Sequence, residues 1–216
     1  NYHDWDDIRL PTIRALRRRG FTAESLRLFW LELGLTQKDI SVPMDTLEAY
    51  NSALVDASTP RLSLLRDPVR LALDVSSVEM PTQVVLPNHP TEDLGDRVWQ
   101  LDSDCGLEVL IEKGDLDVAL SGNGILRLKE FADIEVKSDR SGRILDFEKG
   151  DGVRIVHWLA AGVECDAVLL HDNEGELEHT CILESNDHAE GALVQLERIG
   201  FARIEQVGDD EHPWRL

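Results

Sequence analysis

Arg14, Arg17 and Arg18 are the residues whose type and spacing first suggest chemistry. On a helix they are related by i+3 and i+4 and share one face, with Ile13 and Leu16 on the opposite one. Five arginines fall between residues 9 and 21, in a chain whose formal net charge is -20. A guanidinium fork matches the geometry of phosphate oxygens, so three aligned forks in an acidic chain point to a polyanion, with a solvated face as the plainer alternative.

Other chemistry is harder to place. A nucleophilic enzyme needs a Ser, Cys or Thr on a sharp turn with a base beside it, and no G-x-S-x-G occurs. No phosphate-cradling glycine loop opens a helix; the Gly-rich "SGNGIL" leads into a strand and reads as a hairpin turn. His171, Asp172, His179 and Cys181 form the most tempting metal set, but their spacing matches no common zinc pattern and residues 172–178 look like a turn. The expectation is therefore no metal and no catalytic residue.

The elements that must carry the arginines are helical. Thr12 can cap a helix that runs to Arg19 and is closed by Gly20, and Thr22 can cap a second that Gly34 closes. In the second, Leu26, Phe29, Trp30 and Leu33 make one wide apolar face, as in a buried helix. After Thr36, with Asp39 as a partial cap, Pro43 leads into a third helix bearing Met44, Leu47, Tyr50 and Leu54.

From about Arg61 the period changes to two. In "VRLALDV", Val69, Leu71, Leu73 and Val75 alternate with Arg70, Ala72 and Asp74, the pattern of a half-buried strand. Ten further strands are expected in "TQVVL", "LEVLIE", "GILRL", "DIEVK", "RILDFE", "VRIVHWL", "CDAVLLH", "CILES", "LVQLERI" and "ARIEQ", many separated by turn sequences. So many short strands favour barrels or sandwiches over a parallel sheet, and their total length favours two barrels over one.

The acidity is spread over turns and polar strand faces instead of forming a tail. Residues 1–30 hold six Arg against four acids, so the excess belongs to the later part. A net charge of about 2 to 8 already serves solubility in a small domain, so this coat points to an organism with a salty interior. Cys105, Cys165 and Cys181 form no C-x-x-C pair, and their odd number fits a reducing compartment. With no long apolar run or signal pattern, a soluble cytoplasmic protein is expected.

These residues also resemble a known family. "WDDIRLPTIRALRRRGF" is similar to the segment that follows the catalytic domain in archaeal glutamyl-tRNA synthetases and the related glutaminyl enzymes, with Ile8 where proline is expected. The resemblance continues through "ELGLTQKD", "DPVRLAL", "LPNHP", "VLIEKGDL", "ILRLKEFADIEV", "IVHWL" and "VQLERIGFARIE", which together span the chain. It favours glutamyl over glutaminyl members through "ELGLTQKDISVPMDTLEAYN", and haloarchaea would account for the acid coat.

The resemblance implies a mainly β fold with an N-terminal α-helical segment and two β-barrels of the ribosomal L25-like kind. Residues 1–59 would contact the inside of the tRNA through Arg14, Arg17 and Arg18, and 60–216 would hold the anticodon, with 60–75 and 125–200 interleaved between the barrels. The catalytic half, with its HIGH-like and KMSKS-like motifs, would lie upstream. The parent would use ATP and Mg²⁺ to join glutamate to tRNA(Glu), with tRNA(Gln) as a second candidate; no cofactor is implied in this region, and a monomer is expected.

Anticodon contacts carry over from the glutaminyl relatives where motifs match. Arg61 stands six residues before "DPV", Lys129 ends "RLK" with Arg127 beside it, and Gln195 and Arg198 belong to "QLER". An asparagine after His-Pro is replaced by Thr91, and two basic positions become Val118 and Ala119. Unpaired bases offer edges that Arg and Gln can bond and faces on which Arg can stack. The alternative from another class is a free-standing RNA-binding barrel protein of the ribosomal L25-like kind; a third is a metal-dependent hydrolase on the His171 set.

Overall fold

The computed structural model describes residues 2, 4–34, 41, 43–102, 106–173 and 176–216. The expected caps at Thr36 and Asp39, and Cys105, lie outside the described residues. Among the described residues three helices open the chain. Helix α1 (Ile13–Arg18) is capped by Thr12, whose hydroxyl oxygen accepts from the Ala15 amide at 3.1 Å. Helix α2 (Ala23–Leu33) is capped in the same way by Thr22 and closed by Gly34 at φ +66°, where a Cβ would be strained. Helix α3 (Met44–Val55) begins directly after Pro43.

Leu16, Phe21, Phe29 and Leu47 form the core of this segment. Buried Asn51 ties it together: its Oδ1 accepts from the Thr22 amide (3.0 Å) and the Ser25 hydroxyl (2.9 Å), and its Nδ2 donates to the Gly20 carbonyl (3.2 Å). One sequence expectation fails here: Trp30, read as part of the buried face of α2, is 63% exposed, and Ile13 on α1 is 76% exposed. A six-residue helix buries only Ala15 and Leu16, and α2 packs mainly on α3, so the stripe it buries is narrower than its apolar face.

After a single 3₁₀ turn at Asp56–Ser58 the strands begin: β1 (Arg61–Leu62), β2 (Leu64–Leu65), β3 (Pro68–Asp74), β4 (Gln83–Pro87), β5 (Asp96–Gln100) and β6 (Leu107–Glu112). A helix α4 (Lys113–Ser121) intervenes before β7 (Ile125–Leu128), β8 (Asp133–Val136), β9 (Ser141–Asp146), β10 (Ile155–Val156) and β11 (Trp158–Ala160). Then come β12 (Glu164–Asn173), β13 (Glu176–Glu184), β14 (Leu193–Leu196), β15 (Gly200–Arg203) and β16 (Trp214–Arg215). The alternation expected for β3 is present, with Val69, Leu71 and Leu73 buried. Neither α4 nor β5 was expected. Only Asp115, Leu116 and Ala119 of α4 are buried and Gly114 sits in its first turn, so its periodicity is faint.

Among the described residues the strands form four sheets. The largest has seven strands in the order β10-β7-β8-β9-β3-β6-β11. It is so curled that β10 and β11, separated only by His157, pair with opposite edges of it, β10 parallel to β7 and β11 antiparallel to β6. One continuous segment thus covers both edges, which would otherwise offer unpaired backbone. Its core includes Leu71, Val109, Ile111, Leu126, Leu128, Ile134 and Trp158. A second core, with Leu62, Leu64, Leu183, Val194, Leu196, Ile204 and Trp214, lies between the sheets β16-β12-β13-β2 and β1-β14-β15. Residues 61–65 therefore enter the second unit, the described residues of 68–160 build the curled sheet and the separate β4–β5 pair, and the chain returns to the second unit from 164.

Candidate nucleic-acid interface

The two units meet along a seam, and most of the motif residues stand there. β1 lies parallel to β14 with Arg61 opposite Gln195, and the Arg61 amide donates to the Asn88 carbonyl of the His-Pro loop at 2.7 Å. The Arg61 guanidinium reaches Asp56 (2.8 Å) and the Thr59 carbonyl (3.4 Å). Gln195 lines a groove of about 720 Å³ together with Arg18, Arg19, Asn51 and Arg203, and its Oε1 is buried without a hydrogen-bond partner. Thr91 donates its amide to His89 Nδ1 at 3.2 Å.

Two residues further on, Glu197 crosses the seam. It is bonded by the Lys129 ammonium, and His157 Nδ1 lies 2.7 Å from its Oε2. Burial pushes the Glu197 carboxyl up, but the bonds from His157 and Lys129 outweigh it and hold the group down at about 2. An ionised carboxylate can only accept, so His157 carries its proton on Nδ1. Glu184 stands nearby in the opposite balance: burial pushes it up despite Arg97 Nε at 2.8 Å, the Trp99 indole at 2.8 Å and the Ser63 amide at 3.0 Å. Arg198, the next residue after Glu197, grips the first unit at Asp115.

Arg127 is placed differently. It is 8% exposed, and its guanidinium bonds Asp133 (3.2 Å) and the carbonyls of Glu148 (3.2 Å) and Phe147 (3.0 Å). Asp133 also accepts from the Gly150 amide, so Arg127 fastens the 147–150 loop to β7 and β8. Val118 and Ala119 lie on α4, with Ala119 buried.

On α1, Arg14 and Arg17 are exposed and have no carboxylate partner among the described residues. Arg18 differs: Glu205 binds it at 2.5 Å and Asp6 lies 3.6 Å away, so it joins the helical segment to the second unit. Arg203, which lies in "VQLERIGFARIE" but was given no role from the sequence, lines a groove of about 400 Å³ with Arg17, Ile13, Leu26 and Leu193. Its guanidinium packs on Gly191, where a Cβ would lie 3.1 Å from Nη2. Such placement has no local sequence signal, since it depends on a contact between separate units.

The enzyme alternatives find little support in geometry. Burial pushes the Cys165 and Cys181 thiols up to about 11, which disfavours the nucleophilic thiolate. The His171 and His179 rings have centroids 6.4 Å apart, with His179 Nε2 2.9 Å from the His171 carbonyl oxygen, while Cys181 is buried against Ala167. No group of three or more His, Cys, Asp or Glu among the described residues could hold a metal. No described helix is long and apolar enough to cross a membrane.

A helical segment with exposed arginines is joined to two β units whose seam is lined by paired cations and acids, a mainly β architecture with a helical opening. No protein-family model matches the chain. Relatives named glutamate--tRNA ligase match 97% of it: 34% identical in Pyrococcus furiosus, 36% in Methanothrix thermoacetophila and 38% in Methanosarcina barkeri. The chain is thus similar to part of these three ligases and spans 36–37% of their length.

Proposed function

We propose that this chain is the tRNA-binding region of a glutamate–tRNA ligase, carried on the same polypeptide as the catalytic half. The observation that supports this most is the match to ligases over 97% of the chain at 34–38% identity. The free-standing barrel protein gains no comparable support. In this reading the parent joins L-glutamate to tRNA(Glu) with ATP and Mg²⁺ in the cytoplasm as a monomer, and no residue described above is assigned to either cofactor. The helical segment meets the inside of the tRNA through Arg14 and Arg17, with Arg203 extending that surface and Arg18 fixing its orientation.

The seam would hold the anticodon. Arg61, Lys129, Gln195 and Arg198 come from three separate stretches and meet there, which favours one extended RNA path over scattered surface charge. The Gln195 Oε1 is buried without a partner, so the amide would turn outward into the groove to meet a base edge. Arg127 supports the fold beneath that path. The two β units take the place of the L25-like barrels expected from the sequence.

The acid coat is read as adaptation to salt, in keeping with a haloarchaeal source. Counterion release weakens as salt rises, and at about 1 M the screening length is near 3 Å, so repulsion of RNA by the coat is suppressed as well. Binding then depends on stacking and short hydrogen bonds. Filter binding of tRNA to the full-length ligase should be tightest in molar KCl; affinity that climbs steadily on dilution to about 0.1 M, with the fold intact, contradicts this reading. Arg61→Ala and Arg198→Ala should each raise KM for tRNA and leave KM for glutamate and ATP unchanged. Comparison of tRNA(Glu) and tRNA(Gln), each with anticodon variants, tests which bases are read and whether both are substrates.

A further inference from the structure

Asp115 is the acid on which two cations from different parts of the chain converge. Arg198 donates to it through Nη1 (2.5 Å to Oδ2) and Nη2 (3.2 Å to Oδ1). Arg154 donates through Nη2 (2.7 Å) and Nε (3.3 Å), both to Oδ1. The Asp115 side chain is only 3% exposed, whereas those of Arg198 and Arg154 are 41% and 48% exposed. One buried carboxylate therefore holds two half-exposed guanidiniums side by side. Arg198 Nε and Arg154 Nη1 make no hydrogen bond among the described residues.

The backbone shares in the arrangement. Arg198 has φ +67°, a left-handed conformation uncommon for a residue with a side chain, so its orientation is set by what surrounds it. The Arg154 carbonyl accepts from the Arg127 amide at 2.8 Å, which sets Arg154 at the end of the strand pairing beside β7, the strand that leads to Lys129. Ile199, next to Arg198, lines a groove of about 640 Å³ with Arg66, Asp67, Glu112 and Gly114. Arg66 and Lys113 have no carboxylate partner among the described residues, and Glu112 accepts from the Arg66 amide at 2.7 Å.

We propose that Asp115 is a positioning residue that holds Arg198 and Arg154 as a paired guanidinium clamp for the tRNA, in which Arg154 contacts a backbone phosphate near the base that Arg198 meets. This rests on the assignment of Arg198 to the RNA path. Its physical basis is pre-organisation: an exposed arginine loses rotamer freedom when it binds, and a carboxylate that has already fixed it removes part of that cost. A second fork next to the first matches the spread of oxygens on RNA, and Arg is the residue suited to two-pronged contacts.

Asp115→Asn gives a test in which the sign of the effect decides. The substitution keeps the shape and removes one negative charge from the RNA face. If Asp115 were only a charge near the RNA, tRNA would bind more tightly. A positioning role requires the opposite.

Four variants of the full-length ligase serve: Asp115→Asn, Arg198→Ala, Arg154→Ala and the Asp115→Asn/Arg198→Ala pair. KM for tRNA, KM for glutamate and melting temperature are read for each. The expected results are a rise in KM for tRNA of about tenfold for Arg198→Ala and for Asp115→Asn, a double variant no worse than Arg198→Ala, and KM for glutamate unchanged throughout. Arg154→Ala should raise KM for tRNA and lower the salt slope of tRNA binding by about one, as loss of a phosphate contact does.

An unchanged or lowered KM for tRNA in Asp115→Asn, beside a raised one in Arg198→Ala, overturns the positioning role and leaves the anticodon reading intact. If Arg198→Ala itself has no effect, the reading beneath the proposal fails. Should Asp115→Asn lower the melting temperature and disturb KM for glutamate as well, Arg154→Ala decides: normal melting with unaltered tRNA binding overturns the clamp.

Discussion

Replacing Glu197 by Gln removes one charge from the seam while keeping its size, and the structure sets what that should cost. The Glu197 side chain is 8% exposed, bonded by Lys129 and by His157, with Arg97 Nη2 3.9 Å away. Its fall from an ordinary value of 4.5 to about 2 corresponds to about 3 kcal/mol in favour of the ionised form, at about 1.4 kcal/mol per tenfold change in ionisation constant. A carboxylate depressed in the folded state gives stability that is present above its unfolded pKa and lost as pH falls through the folded one. The wild-type chain should therefore lose this contribution between about pH 5 and pH 2. Glu184 acts oppositely, since burial raises it and its ionised form weighs against folding at neutral pH. Subtracting the variant from wild type reports Glu197 together with its smaller effect on Glu184, which the Glu197 charge also raises. Trp99 and Trp158 are buried beside the seam with ring centroids 5.2 Å apart, so tryptophan fluorescence during urea unfolding reports the region directly. Glu197→Gln should be about 3 kcal/mol less stable at pH 7, with a difference that shrinks toward pH 2. Equal stability at pH 7, or a difference that grows in acid, would refute the assignment of Glu197 as the charged centre of the seam.

Three other substitutions probe the scaffold by the same unfolding measurement. Asn51→Leu strands the Thr22 amide and the Gly20 carbonyl and should cost about 1–3 kcal/mol per unsatisfied group; a neutral result would deny that Asn51 joins the helices. Gly208→Ala places a Cβ 2.3 Å from Trp214 Cδ1 and should destabilise by about 1–3 kcal/mol through displacement of the indole. Arg127→Met leaves Asp133 buried without its guanidinium and should cost about 3–5 kcal/mol; in the full-length ligase, under conditions where it is folded, it should leave KM for tRNA unchanged, and a selective rise in that KM would return Arg127 to the RNA path.

Much of the scaffold could be read from residues close together in the chain. Thr12, Thr22, Gly20 and Gly34 act on their own helices, and the two-residue alternation of β3 shows in seven consecutive residues. The motif positions Arg61, Lys129, Gln195 and Arg198 were legible from the family resemblance, and the structure brings them to one seam. Arg127 carried the same kind of signal, yet its guanidinium is bonded to a carboxylate and two carbonyls, and that of Arg61 in turn to Asp56 and the Thr59 carbonyl. A sequence motif specifies a residue and its strand, but not what the facing loop supplies.

The sequence by itself determined the helical opening, the change to strands near Arg61, and the acidic surface, because caps, periodicity and charge are local or summed properties. Tertiary structure alone decided which cations are held by acids. Lys129 meets Glu197 across 68 residues, Arg198 meets Asp115 across 83, and Arg18 meets Glu205 across 187. It also decided that β10 and β11 cover both edges of one curled sheet, and that Ile13 and Trp30 remain exposed. Each depends on two distant segments arriving at one place, where burial and pairing set the charge state and orientation of a side chain in ways no local pattern encodes.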